Sequence, residues 1–362
     1  MSFLNYTKHL EPKKEIKEKL PFYYEQVFSS ANVLYKDFLA GRKKEIQQIT
    51  QTVEFYKQGY KGALLITGRR YDGKTLLSHI AADTYTNKEN IYTITPPTQG
   101  SININDFRKA FFSAFQAAHT HSHHDLLANS NINTCIIIED LEKWWRHIPN
   151  GNLIIEEITN MIQTFGNKIF FVINASNIAY ELIRQTSSIE TVILENIELS
   201  PVKPEELKEI IYLRHEITGF KFSYKNKTQD HLNISQEADL FIKLYRLSYG
   251  NIGTALKYWQ ASIINVDMEN ETVEIDIPPL PPSSLFEDLH VSWKFTIAQL
   301  LKHKDMSAHT LQELTGFDNN TLNNILNALL LQSLIKENKG IYSINPIWWI
   351  HLYHHLKSID II

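Results

Sequence analysis

The octapeptide GRRYDGKT at 68–75 satisfies the pattern GxxxxGK[ST] with Gly68, Gly73, Lys74 and Thr75. Residues of these types at this spacing build a phosphate cradle. The glycines permit backbone turns that wrap N–H groups around a β-phosphate, and the helix that follows presents its positive end. Lys74 reaches the β and γ oxygens, and Thr75 offers a hydroxyl to Mg²⁺. Asp72 and Leu76 flank these positions and complete the expected nucleotide-contacting set. An apolar strand pattern, GALLIT at 62–67, precedes the loop, and a helix pattern with Leu76, Leu77, Ile80 and Ala81 follows it. Further on, the apolar run 133–138 (NTCIII) ends in Glu139 and Asp140. Carboxylates at the tip of a strand beside a phosphate loop can hold Mg²⁺ and polarise an attacking water. By position Glu139 holds the metal and Asp140 acts as base; by chemistry the roles shift by one register, because the usual order is Asp then Glu. An aspartate is one methylene shorter than a glutamate, so Asp140 reaches water poorly, and nucleotide binding is better supported than fast hydrolysis.

Such residues need a sheet to hold them. β-rich runs at 62–67, 91–95, 133–138, 169–174 and 191–198 alternate with helical patterns. That alternation predicts an α/β fold in which a parallel sheet is covered on both faces. After Pro201 and Pro204 the pattern reads as purely helical to about residue 261, followed by a hairpin at 262–266 and 272–277. Pro278, Pro279, Pro281 and Pro282 then form a stiff linker. Beyond it come three helical segments, a turn signal at Asn338, Lys339 and Gly340, and an aromatic-rich helix, the order of a winged helix-turn-helix. The expected divisions are an N-terminal extension (1–35), a nucleotide-binding core (36–200), a helical lid with hairpin and linker (201–283) and a winged-helix domain (284–362).

Composition narrows the class. The 362 residues are 43% hydrophobic and 21% charged with a formal net charge of −4, which excludes disorder and collagen-like repeats. A single cysteine, Cys135, excludes an internal disulfide framework and reads as a buried thiol in a reducing cytoplasm. No run reaches the ~18 apolar residues of a membrane span. The N-terminal Lys/Glu segment reads as a solvated helix face. His119, His121, His123, His124 and Asp125 match no standard zinc spacing and read as a solvated loop. The pairs Trp144/Trp145 and Trp348/Trp349 read as core or interface anchors.

These residues, with GRKKE at 41–45, INASN at 173–177 and GNIGTAL at 250–256, resemble an AAA+/STAND-type P-loop ATPase of initiator-like architecture. The resemblance covers about residues 36–362. It implies a five-stranded αβα core, an α-helical lid closing on ATP or ADP with Mg²⁺, and an appended winged helix. Gly41 and Arg42 resemble the box that lines the adenine side. Asn177, or alternatively Asn174, resembles the sensor-1 residue. Arg184 resembles an arginine finger that reaches a neighbouring subunit in a nucleotide-dependent homo-oligomer, with Arg214 as the alternative. Where the lid motif would carry a sensor-2 arginine, Gly250 is followed by Asn251, Ile252 and Gly253. That departure points to a slow, switch-like ATPase.

The winged helix is a poor DNA reader by charge. Residues 283–362 hold six lysines, no arginine and seven acids, and the third helix shows only Asn320, Asn323, Asn324 and Asn327 outward. Phosphate neutralisation supplies most non-specific affinity. A protein partner is therefore expected for this domain. The expected function is an ATP-driven conformational switch that hydrolyses ATP to ADP and phosphate; the alternatives are an initiator- or transposition-type protein assembling on DNA, and a nucleotide-binding scaffold that hydrolyses nothing.

Overall fold

A computed structural model describes residues 2–29, 40–117, 123–131 and 133–362. Three short helices open the chain, α1 (Phe3–Leu10), α2 (Lys14–Lys19) and α3 (Phe22–Phe28). The core follows as α4 (Lys43–Lys57), β1 (Ala63–Gly68), α5 (Lys74–Tyr85), β2 (Ile91–Ile94), α6 (Ile104–Ala114), α7 (His123–Asn129), β3 (Cys135–Ile138), α8 (Leu153–Phe165), β4 (Phe170–Ser176), α9 (Asn177–Thr186) and β5 (Ile193–Glu198). All five expected strands form, and they pair in parallel in the order β2-β3-β4-β1-β5. The two-residue period of a strand divides the buried side chains between two layers. Ala63, Leu65, Ile136, Ile138, Phe171 and Ile173 pack with α6, α8 and α9. Leu64, Ile66, Cys135, Ile137, Phe170 and Val172 pack with α4 and α5. Each buried Leu or Ile contributes roughly 1.5–3 kcal/mol, so a one-residue slip would be costly.

The next region holds α10 (Pro204–Thr218), β6 (Lys221–Tyr224), β7 (Lys227–Thr228), α11 (Ile234–Ser248), α12 (Ile252–Ala261), β8 (Ile263–Asp267) and β9 (Thr272–Ile275). It is not purely helical up to residue 261. In Lys221–Tyr224 the chain alternates exposed and buried residues, and Lys225 and Asn226 both take positive φ (51° and 62°), the geometry of a tight hairpin turn. The expected hairpin at 262–277 forms as β8 and β9, and β6 joins it to complete a four-stranded sheet, β7-β6-β9-β8.

The C-terminal part contains α13 (Ser284–Glu287), α14 (Val291–His303), β10 (Met306–Ser307), α15 (Ala308–Thr315), α16 (Asn319–Leu331), β11 (Ile335–Asn338), β12 (Ile341–Ile344) and α17 (Trp349–Ser358). The sheet order β10-β12-β11 and the sequence helix, strand, two helices, hairpin have the topology of a winged helix. The N-terminal helices do more than present a charged face. Their lysines and glutamates at 14–19 are exposed, whereas Phe3, Leu10, Ile16, Leu20, Tyr24 and Phe28 enter one apolar cluster with the lid and the winged helix. The Trp348 indole N–H donates to Thr7 Oγ1 at 2.9 Å, and Phe3 meets the Trp348 ring edge-on at 5.1 Å. That cluster runs continuously across the proline linker.

Candidate functional site

The phosphate loop joins β1 to α5 at the C-terminal edge of the sheet. Gly73 has φ +97°, which only glycine adopts without strain, and it caps α5 so that the backbone opens toward the cavity. Gly68 serves differently. Its φ is not positive, but a Cβ there would stand 3.0 Å from Leu199 Cβ, so glycine is needed for close approach. Lys74 Nζ donates to the carbonyls of Gly68 (3.1 Å) and Arg69 (2.9 Å), and burial, with Lys304 nearby, pulls its ammonium down to about 8.

The loop is braced by Asp72, which is fully buried. Its carboxylate accepts from Arg69 N (2.9 Å), Arg69 Nε (3.0 Å) and Asn251 Nδ2 (2.7 Å). Asn251 also donates to the Arg70 carbonyl, and Gly253 N donates to Tyr71 O at 3.1 Å. The lid thus grips the loop through an asparagine, at the motif where the resemblance would place a sensor-2 arginine.

A cavity of about 310 Å³ opens over this loop. Arg70, Asp72, Gly73, Lys74, Thr75 and Asp140 form its polar floor. Ala40, Leu76, Leu77, Ile210, Ile252 and Leu256 form an apolar wall suited to a base. Arg42 lies beside that wall and is buried; it donates to Glu45 (2.8 Å) and to the carbonyls of Ser200 (2.7 Å) and Asp72 (3.2 Å). Gly41 packs on Ile210, which a Cβ would meet at 3.0 Å. The hydroxyl of Thr75 and the carboxylate of Asp140 are hard oxygen donors in one cavity with Lys74, a donor set that fits Mg²⁺.

The two strand-end acids part company. Asp140 lines the cavity, whereas Glu139 turns toward His79 and accepts from Thr95 Oγ1 at 3.4 Å. Burial and the Asp140 charge raise the Glu139 carboxyl. Asp140 takes φ +49°, held there by its N–H donating to Asn174 Oδ1 at 2.9 Å, and Asn174 Nδ2 donates in turn to Ser78 Oγ at 3.2 Å. Asn177 instead donates to the Tyr353 hydroxyl at 3.3 Å, beside the winged helix. Arg184 is exposed and ion-paired to Glu181 (2.5 Å) and Glu190 (3.3 Å), away from the cavity, while Arg214 lines it.

Sequence reasoning missed the cavity's fourth side. Lys304 and Asp305, from the loop between α14 and β10, line it together with Lys143. Lys304 Nζ pairs with Asp140 and with Glu142 Oε1 (2.9 Å), and Asp305 pairs with Arg70 (3.3 Å) and Lys143 (2.9 Å). Glu142 is itself fully buried, with its other oxygen accepting from Ser176 N at 3.0 Å. Burial would raise the Asp140 carboxyl, but Lys304 outweighs this and holds it well below the usual range. Lys304 adopts φ +67°, a conformation that costs a non-glycine residue on the order of 1–3 kcal/mol. The only local signal for Glu142 was a third acid two residues beyond Asp140; for Lys304 there was none.

Other sequence candidates resolve simply. All four paired tryptophans are buried. His119 and His121 lie outside the described residues; His123 pairs with Glu157 at 2.5 Å and His124 meets the Phe165 ring. No helix among the described residues is long and apolar enough to cross a membrane.

No protein-family profile matches this chain, and no curated protein does. Solved structures do. The Aeropyrum pernix ORC2 protein in its ADPNP–ADP complexes superposes with a TM-score of 0.53 at 14% identity, covering 92% of this chain and 97% of that one. The Aeropyrum pernix ORC1 protein in complex with DNA gives a TM-score of 0.50 at 13% identity, covering 93% and 98%. Likeness at that identity is likeness of fold: the chain shares with these two proteins the fold of its parallel-sheet core, the region that follows it and the C-terminal domain.

Proposed function

We propose that this protein binds ATP and ADP with Mg²⁺, hydrolyses ATP slowly, and uses nucleotide state to set the position of its winged helix toward a protein partner. The observation that carries the reading is one cavity in which Lys74, Thr75 and Asp140 face an apolar wall, closed by the lid on one side and by the winged-helix loop on another. Lys74 would hold the β and γ oxygens, and Thr75 with Asp140 would hold Mg²⁺, which neutralises phosphate charge when bound. Asn174 would orient Asp140. Slow turnover is supported by the ion pairs that Asp140 and Glu142 make with Lys304, which must be broken before either carboxylate can serve the metal or a water.

Calorimetric titration with ATP and ADP, in Mg²⁺ and in EDTA, tests the reading. Micromolar or tighter binding is expected, and a flat titration would refute it. Asp140→Asn should abolish turnover and much of the Mg²⁺ dependence, and Glu139→Gln, outside the cavity, should change both little. The DNA-assembling alternative draws on the fold shared with a protein solved on DNA. Retention of the full chain on duplex DNA that falls steeply with salt would favour it.

A further inference from the structure

The winged helix is fastened to the core at four points, on and beside the loop that carries Lys304 into the cavity. Lys304 pairs with Asp140 and Glu142, and Asp305 with Arg70 and Lys143. Arg146 meets Glu313 (3.2 Å) and Thr310 (3.3 Å) on α15, and the His303 ring stacks on Trp145 at 5.2 Å. Each of these four points includes a residue of the short segment 140–146 that follows β3. The winged helix therefore docks on the stretch of chain that would also hold the metal.

Lys304 is the only group on this loop that brings positive charge to the carboxylates, and its side chain is 10% exposed. A divalent cation bound through the Asp140 oxygens would need the space and the negative charge that this ammonium now takes. Two cations on one partly buried carboxylate repel. Arg70 also faces Asp305 rather than the cavity floor alone, so release of the loop would return a guanidinium to the phosphate side.

We propose that Lys304 and the nucleotide's divalent cation are mutually exclusive on Asp140, so that Mg²⁺ entry with nucleotide undocks the 303–307 loop of the winged helix, whereas metal-free nucleotide leaves it docked. Lys304 is then a positioning residue that makes the winged helix sense metal occupancy. The inference rests on the reading of the cavity as a Mg·nucleotide site, and it adds what the moving domain detects.

The test uses the full chain. Hydrogen exchange of a peptide spanning 300–310 is followed in apo protein, with ATP in EDTA, and with ATP in Mg²⁺. Protection should persist in the first two states and drop in the third. In parallel, the ratio of ATP affinity in Mg²⁺ to that in EDTA is measured for wild type, Lys304→Gln and Lys304→Arg. The glutamine variant should raise that ratio roughly tenfold, a typical coupling between linked sites, and the arginine variant should restore the wild-type ratio. If wild type binds Mg·ATP while the 300–310 peptide stays equally protected in all states, the inference falls and the nucleotide reading stands. If wild type binds no nucleotide in either condition, both fall. Should Lys304→Gln prove unfolded, the wild-type exchange comparison decides alone.

Discussion

The αβα core and the cap built from N-terminal helices, lid and winged helix bury their interiors with different chemistry. The core layers are mostly aliphatic, alternating along strands, and no histidine there is fully shielded among the described residues. The cap buries His215 and His351 among its own aromatic rings and presses His303 against Trp145 of the core. His215 Nε2 accepts from the Trp259 indole at 3.1 Å, and His351 bonds the Tyr258 hydroxyl at 3.0 Å. The contrast teaches that the core is a scaffold held by repetitive packing, whereas the cap is held by specific polar and aromatic contacts that conditions can undo.

The most specific expected effect falls where the two regions meet. Wild-type protein at nucleotide concentrations ~100 times the dissociation constant should gain about 2.7 kcal/mol of stability. Lys74→Ala should gain none of it in a thermal melt, and an undiminished shift would remove Lys74 from the site. Acid should next separate the regions. Burial holds His215 and His303 at about 4 and His351 at about 3, below the ~6.5 of an unfolded chain. Unfolded chain therefore takes up protons that the folded cap refuses, and stability falls with pH from about 6.5 downward by up to about 1.4 kcal/mol per unit for each such histidine. At pH 5 the cap amides should exchange before those of β1, β3 and β4; simultaneous loss of protection would dissolve the contrast.

A smaller effect is expected from the hydrogen bond that ties lid to loop. Asn251→Ala leaves the buried Asp72 carboxylate short of a donor, which should cost about 1.5–3 kcal/mol and weaken nucleotide affinity. An unchanged melt and affinity would show that Arg69 suffices. The smallest effect belongs to Arg184→Ala, whose exposed pairs with Glu181 and Glu190 should leave the melting temperature of dilute protein unmoved. A fall in turnover confined to concentrated protein would identify it as a residue acting on a neighbouring copy.

Much of the core was legible because its information is local. Strand runs, the left-handed turn at Gly73 and the acids after Ile138 each occupy a few consecutive residues. The hairpin of β6 and β7 is legible only in the Phe222 and Tyr224 alternation and the Lys225-Asn226 turn, and the helical patterns that flank it mask that signal. The reason position 68 needs glycine is not legible locally, because it comes from Leu199, far along the chain.

The sequence by itself determined the phosphate loop, the parallel sheet and the winged-helix order, since periodicity and backbone preference act between neighbours. Only the tertiary structure decided which carboxylate faces the cavity, because two adjacent residues at a strand tip point to different sides and the Asn174 bond selects between them. It alone brought Lys304 to Asp140. An ion pair leaves no periodic trace, and any of the chain's lysines would have read the same until the fold placed this one, 10% exposed, against two carboxylates.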